Sequence, residues 1–187
     1  MEGKRIVITG GPGTGKTTII NSLIESGYYC MEEVSRQITL EAQKNGVEQL
    51  FVSDPIGFSV QLAKGRAEHF YRADDVDHEI VFFDRGIPDV TAYLNFSKSI
   101  IPNSILNLSK NLRYDKVFIV NPWKEIYTSD NERYESFELA LKIHQHIVDT
   151  YTSLDYSLIE IPFGDVTSRV NFIISCLKQE AILSSQS

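Results

Sequence analysis

Gly10-Gly11-Pro12-Gly13-Thr14-Gly15-Lys16-Thr17 stands between a run of strand-forming residues, Lys4-Arg5-Ile6-Val7-Ile8, and a stretch of helical character reaching Leu23 and Ile24. The stretch has the spacing G-x-x-x-x-G-K-[ST], with the strand before it and the helix after it that a phosphate cradle requires. Glycines let the backbone curl until several N–H groups face one phosphate, and the helix opening near Lys16 adds the positive end of its dipole. Phosphate contacts are therefore assigned to Gly11, Gly13, Thr14, Gly15 and Lys16, with the Lys16 ammonium reaching the β- and γ-phosphates as a point charge. The Thr17 hydroxyl is expected to ligate a magnesium ion bridging those phosphates. Thr18 is expected on the helix surface or as a minor phosphate contact. The ligand implied is a nucleoside triphosphate with Mg2+; ATP is the default, because no residue pattern here encodes adenine or guanine.

Outward from this turn, strand and helix signals alternate to the end of the chain, the pattern of a parallel sheet covered by helices on both faces. After the strand Arg5–Thr9 and a helix stopping at Gly27, a short strand is expected at Tyr28–Met31 and a helix from Ser35 to Lys44. A longer helical pattern runs from the Ser53-Asp54-Pro55 loop to about Asp77. Ile80-Val81-Phe82-Phe83 and Val117-Phe118-Ile119-Val120 are continuously apolar, as strands buried on both faces are. A fifth strand is expected at Ser157–Ile161 and a last helix from Val166 to Lys178. Leu139, Ile143, Ile147 and Tyr151 recur at four-residue spacing and mark one apolar helical face. His144 and His146, two positions apart on that helix, point to different sides, cannot share a metal ion, and are read as solvated decoration.

Length and charge narrow the function. A chain of 187 residues suits one compact α/β domain, and a hydrophobic fraction of 42% with 23% charged residues is ordinary for a globular protein. No apolar run approaches the roughly 20 residues that span a bilayer, and the first strand begins too early for a secretory leader, so a cytoplasmic protein with no membrane partner is expected. A net charge of −7 works against nonspecific nucleic-acid binding, which draws its affinity from cations. A small-molecule substrate is the expected partner, and a homodimer is compatible with the reading. Cys30 and Cys176 lack metal-type spacing and are read as buried free thiols.

Several charged residues fall where sheet ligands collect, beyond the carboxyl ends of strands. Asp84 ends the third strand and is the candidate to hold magnesium directly or through water, or else a capping residue before a loop. Motor-type ATPases place Glu after this Asp to orient a hydrolytic water; this chain has Arg85, which favours transfer and joins the candidate catalytic set. Glu33 and Arg36 follow the second strand and should rise into the same crevice. Glu33 is the candidate to accept the proton of an acceptor hydroxyl, in competition with Glu32; either is also explained as an acid at a helix N-terminus. Arg36 is read as substrate-binding or as one half of a surface salt bridge. After the fourth strand, Asn121-Pro122-Trp123 and Asp130-Asn131-Glu132-Arg133-Tyr134 read as a lid at about 121–135. Arg133 is placed there to neutralise charge between donor and acceptor, with an exposed helix-start arginine as the alternative. Trp123 flanks adenine or plugs the core edge. Asp89 fits a helix N-cap better than a sugar-hydroxyl ligand.

Asp84-Arg85-Gly86 resembles the D-R-x motif of nucleoside and nucleotide kinases. Gln61-Leu62-Ala63-Lys64-Gly65-Arg66-Ala67-Glu68-His69 resembles the thymidylate-kinase helix, and by that resemblance Arg66 faces the substrate. Glu33-Val34-Ser35-Arg36 is similar to the E-x-x-R element of ribosylnicotinamide-kinase-like ATPases, a group that Asp84-Arg85-Gly86-Ile87-Pro88-Asp89 resembles too. Together these motifs resemble the NadR-like AAA-family ATPase/kinase group. The resemblance implies a three-layer α/β P-loop NTPase fold: a five-stranded parallel sheet, helices on both faces and a lid; length and composition are read as one domain over residues 1–182, with the Ser-Ser-Gln-Ser ending a frayed, disordered tail at 183–187. The expected activity is Mg-dependent transfer of the γ-phosphate of ATP to a hydroxyl- or phosphate-bearing metabolite of nucleoside or nucleotide type. A hydrolytic switch or a nucleotide-binding regulatory module is the alternative, although the guanine-reading N-K-x-D motif is absent.

Overall fold

The computed structural model describes residues 3–44, 46, 53–127 and 136–184. Five strands form one sheet: β1 (Lys4–Thr9), β2 (Tyr29–Met31), β3 (Ile80–Asp84), β4 (Lys116–Val120) and β5 (Leu158–Ile161). Their order is β2-β3-β1-β4-β5 and every pairing is parallel, with Ile8 opposite Asp84 on one side and Phe118 on the other. The helices are α1 (Lys16–Glu25), α2 (Val34–Lys44), α3 (Pro55–Arg72), α4 (Ile87–Phe96), α5 (Asn103–Asn111), α6 (Phe137–Ser153) and α7 (Val166–Ser184).

Period-two alternation along the strands divides the core in two. Val7, Val81, Phe83, Val117 and Ile119 pack against Ile143, Ile147 and Tyr151 of α6. On the other face Ile6, Ile8, Phe82, Phe118 and Val120 meet Ile19 and Leu23 of α1 and Val170, Ile173 and Leu177 of α7. Helices thus cover both faces, which is why β1, β3 and β4 read as unbroken apolar runs. A third cluster, with Val34, Leu62, Val90, Leu94 and Ile105, ties α2, α3, α4 and α5 together beyond the sheet. Among the described residues no helix is long and apolar enough to cross a membrane.

Three sequence expectations are corrected by the fold, and one helix is added to them. The helix expected to run to Asp77 ends at Arg72: the Asp74 and Asp75 N–H groups donate to the carbonyls of Tyr71 and Arg72 (3.0 and 3.1 Å), tightening the chain into turns. The last helix continues past Lys178 to Ser184. Helix α5 carried no assignment, because Asn103 to Asn111 buries only Ile105 and Ser109 and has a sparse apolar pattern. Cys30 and Cys176 are free but only partly buried.

Candidate functional site

The carboxyl ends of β1, β2 and β3 bring the charged residues together. β1 passes through Thr9 into the glycine-rich loop, where Gly13 (φ 70°) and Gly15 (φ 85°) adopt left-handed backbone. A Cβ on Gly13 would lie 2.5 Å from the Tyr127 ring, so only glycine fits beneath that side chain. Gly15 caps α1 with no side chain of its own, which leaves the first amides of the helix open to a ligand. Lys16 folds back over the loop: its Nζ donates to the Gly10 and Gly11 carbonyls (3.1 and 2.9 Å) and to Thr14 Oγ1 (3.4 Å). Burial, reinforced by the charge of Arg85, pushes the ammonium down to about 7 against the pull of Asp84, Glu33 and Asp89. Thr17 and Thr18 are exposed at the start of α1.

Beside the loop, four charged side chains interlock. Arg66 of α3 is buried; its Nη1 donates to the Gly86 carbonyl (2.9 Å) and its Nη2 to Glu33 Oε1 (3.0 Å). Arg85 reaches Glu33 Oε2 through Nε (3.3 Å), while its Nη1 donates to the Gly10 carbonyl (3.0 Å) and to Asp89 Oδ1 (3.1 Å). Arg85 itself sits at φ 72°, a left-handed conformation uncommon outside glycine, and its N–H donates to the Ile8 carbonyl (3.1 Å). Its guanidinium also lies 5.7 Å from the Tyr93 ring centre. Burial raises the Glu33 carboxyl, but the charges of Arg66 and Arg85 outweigh it and hold the group at about 2. Asp84 is pushed upward by burial and by the Glu33 charge, with Lys16, Arg85 and Arg66 opposing. Its Oδ1 is buried with no hydrogen-bond partner among the described residues.

Glu33, Arg66, Arg85 and Asp89 face a cavity of about 510 Å³ walled by Phe58, Tyr93, Phe96 and other apolar side chains of α3, α4 and α6. Arg85 therefore connects the phosphate loop to the cavity floor. Asp89 is not an N-cap: Gly86 holds that place, and Asp89, two residues inside α4, reaches back to the Gly86 N–H (2.9 Å). Its two oxygens also accept from Thr9 Oγ1, from the Tyr151 hydroxyl (2.7 Å) and from Arg85, so they are committed within the protein.

The remaining candidates separate. Arg36 is exposed and does not line the cavity. Glu32 is exposed as well, 3.5 Å from Gln37 Nε2. Arg133 lies outside the described residues. Trp123 is half-buried with its ring 5.2 Å from that of Phe163. His144 is corrected outright: it is buried rather than solvated, and its Nδ1 accepts the Gly11 N–H at 3.4 Å. His146 is half-buried, 5.6 Å from the Phe96 ring. The four-residue spacing that marked the sheet-facing stripe of α6 did not mark the flank meeting the loop. Arg169 was missed altogether; from the first turn of α7 its Nη2 donates to the Thr14 carbonyl at 3.3 Å, across 155 residues of sequence. No cluster of three or more His, Cys, Asp or Glu side chains able to hold a metal exists among the described residues.

Fold and loop together define a P-loop nucleotide-binding protein. The family model described as an AAA domain matches residues 5–169, and the chain belongs to that family. Its fold is similar to deoxyadenosine kinase from M. mycoides with the products dCMP and dCDP: TM-score 0.68, 16% identity, over 94% of this chain and 99% of that one. Thymidylate kinase from Candida albicans gives TM-score 0.69 and 16% identity, over 96% and 93% of the two chains. NadR in complex with NR gives TM-score 0.72 and 19% identity; the match covers 95% of this chain and 51% of NadR, so the chain spans about half of that protein's length. None of the curated proteins matches the sequence significantly.

Proposed function

We propose that this chain is a Mg-dependent kinase that takes ATP on the phosphate loop and passes the γ-phosphate to a small nucleoside- or nucleotide-like acceptor in the adjoining cavity. The observation that carries the reading is Arg85, whose one guanidinium touches the Gly10 carbonyl of the loop and Glu33 on the cavity floor. A binding module has no need of a charged bridge between two ligand sites; a transferase must hold donor and acceptor within reach of each other. Similar folds in a deoxyadenosine kinase, a thymidylate kinase and NadR with NR support an acceptor of this kind.

In this reading Lys16 and the amides opening α1 grip the β- and γ-phosphates. The unpartnered Oδ1 of Asp84 and the exposed hydroxyl of Thr17 fit a magnesium site, whose ion would neutralise charge on those phosphates. Glu33 holds Arg66 and Arg85 in place and accepts a hydrogen bond from the acceptor hydroxyl. At about 2 its carboxylate is a weak base, which suffices for a loose phosphoryl-transfer transition state in which positioning outweighs proton removal. The acceptor oxygen bonds to the γ-phosphorus as the bridging P–O bond breaks, and the hydroxyl proton leaves late, to solvent. Arg133 is assigned, from its place in the sequence, to charge developing between donor and acceptor.

The test is ADP release with a panel of nucleosides, nucleotides and pyridine ribosides. Release that depends on one acceptor supports the kinase; equal ATP hydrolysis with every compound and with none makes the chain a hydrolase.

A further inference from the structure

Helix α6 meets the phosphate loop through His144. The Gly10–Gly11 peptide is held from both ends: its N–H, on Gly11, donates to His144 Nδ1 (3.4 Å), and its carbonyl, on Gly10, accepts from Lys16 Nζ (3.1 Å) and Arg85 Nη1 (3.0 Å). The approach is close, since a Cβ on Gly11 would lie 2.9 Å from the Ala140 carbonyl oxygen and 3.2 Å from His144 Cβ. In the proposed function Lys16 leaves the loop carbonyls for the phosphates, and the Gly10 carbonyl keeps its bond from Arg85. The grip of Arg85 on the carbonyl and that of His144 on the N–H then together fix which way the Gly10–Gly11 peptide faces.

We propose that His144 is a positioning residue for nucleotide binding: as a neutral imidazole accepting the Gly11 N–H, it fixes the opening peptide of the phosphate loop in the orientation that receives a triphosphate. The inference rests on the nucleotide-binding part of the proposed function. The charged groups facing the imidazole are Lys16 from α1 and Glu160 from β5; burial and the Lys16 charge push it down to about 4 against Glu160, so the acceptor form holds at neutral pH. Glu160 itself accepts a hydrogen bond from Asn121 Nδ2 (2.8 Å).

Asparagine and leucine separate this role from packing. The side-chain oxygen of Asn falls close to where Nδ1 stands, whereas Leu fills the space and accepts nothing. With MgATP followed by calorimetry, His144→Leu is expected to weaken binding about tenfold, the loss of one buried hydrogen bond, while His144→Asn stays within about threefold of wild type. In turnover the Leu variant raises KM for ATP and leaves kcat and the acceptor KM near wild type, the pattern of a ground-state binding effect. Thermal unfolding of each variant controls for folding; a packing residue would rank Leu at or above Asn in both stability and affinity. Equal MgATP affinity in wild type and the Leu variant, or equal loss in both variants, overturns the inference while the kinase reading stands. No MgATP binding by the wild type removes both. If neither variant folds, the 15N shifts of the wild-type imidazole decide: an unprotonated Nδ1 with the proton on Nε2 at pH 6 to 7 is required, and a protonated Nδ1 overturns the assignment.

Discussion

Arg85 Nε stands 3.3 Å from Glu33 Oε2, while the other oxygen of that carboxylate is 3.0 Å from Arg66 Nη2. One carboxylate thus serves two guanidinium groups that expose only 12% and 5% of their side chains. Removing it leaves both cations buried with reduced compensation, and breaking a buried pair of this kind costs about 3–5 kcal/mol. Glu33→Ala is expected to lose stability on that scale in urea unfolding. The pH dependence has a definite sign: the folded carboxyl at about 2 lies below its ordinary value of 4.5, so its contribution is complete above 4.5 and is lost as pH falls toward 2. Wild type should therefore lose more stability than Glu33→Gln across that window; parallel curves would show that Glu33 is not held low.

Lys16 makes a proton-linked prediction. Without nucleotide its ammonium is pushed down to about 7, chiefly by burial, so at pH 8 it is mostly neutral and at pH 6 mostly charged. A triphosphate favours the charged form. Binding at pH 8 should then take up about one proton, and at pH 6 far less. Calorimetry in buffers of different ionisation enthalpy measures this uptake directly. Lys16→Met should abolish the uptake together with most of the affinity; uptake that persists in the variant would belong to another group.

Arg66 and Arg36 are separated by position. Arg66 is buried at the cavity floor with one nitrogen, Nε, lacking a hydrogen-bond partner among the described residues, whereas Arg36 is exposed on α2. Arg66→Ala should destabilise the fold, by about 3 kcal/mol as for other broken buried pairs, and raise the acceptor KM. Arg36→Ala should stay within about 0.5 kcal/mol of wild type, as exposed substitutions do, with an unchanged acceptor KM. A large acceptor effect at Arg36 would restore it to the site.

What could be read from the sequence was local chemistry. Gly10 to Thr17 spell out their role because a phosphate cradle needs glycines, a lysine and a hydroxyl at fixed spacing along eight consecutive residues. Ile80 to Phe83 announced a central strand because burial on both faces leaves no polar position, and Asp84 and Arg85 follow at its end. Contacts made across the fold left no such trace. Arg169 reaches Thr14 from α7, and His144 reaches Gly11 from a helix flank with no apolar period of its own. Asp89 looked like a cap because Asp is a common one, yet the helix opens earlier, at Ile87-Pro88, and Asp89 closes its first turn from inside.

Asp84 gives a test in which structure and function predict opposite signs. Burial and the nearby Glu33 charge raise its carboxyl above the ordinary value, so ionised Asp84 strains the fold at neutral pH. A raised pKa contributes stability only below the unfolded value and loses it as pH rises through the folded one. Without metal, Asp84→Asn should thus be at least as stable as wild type at pH 7. With magnesium and ATP present the order should reverse, because a ligand that binds only the folded state stabilises wild type by mass action. The variant should also need at least about tenfold more magnesium for half-maximal turnover while holding metal-free nucleotide nearly as well, the signature of a lost metal ligand. An unchanged magnesium titration would take Asp84 out of the metal site, and its unpaired Oδ1 would then be a cost of the fold with no ligand to answer it.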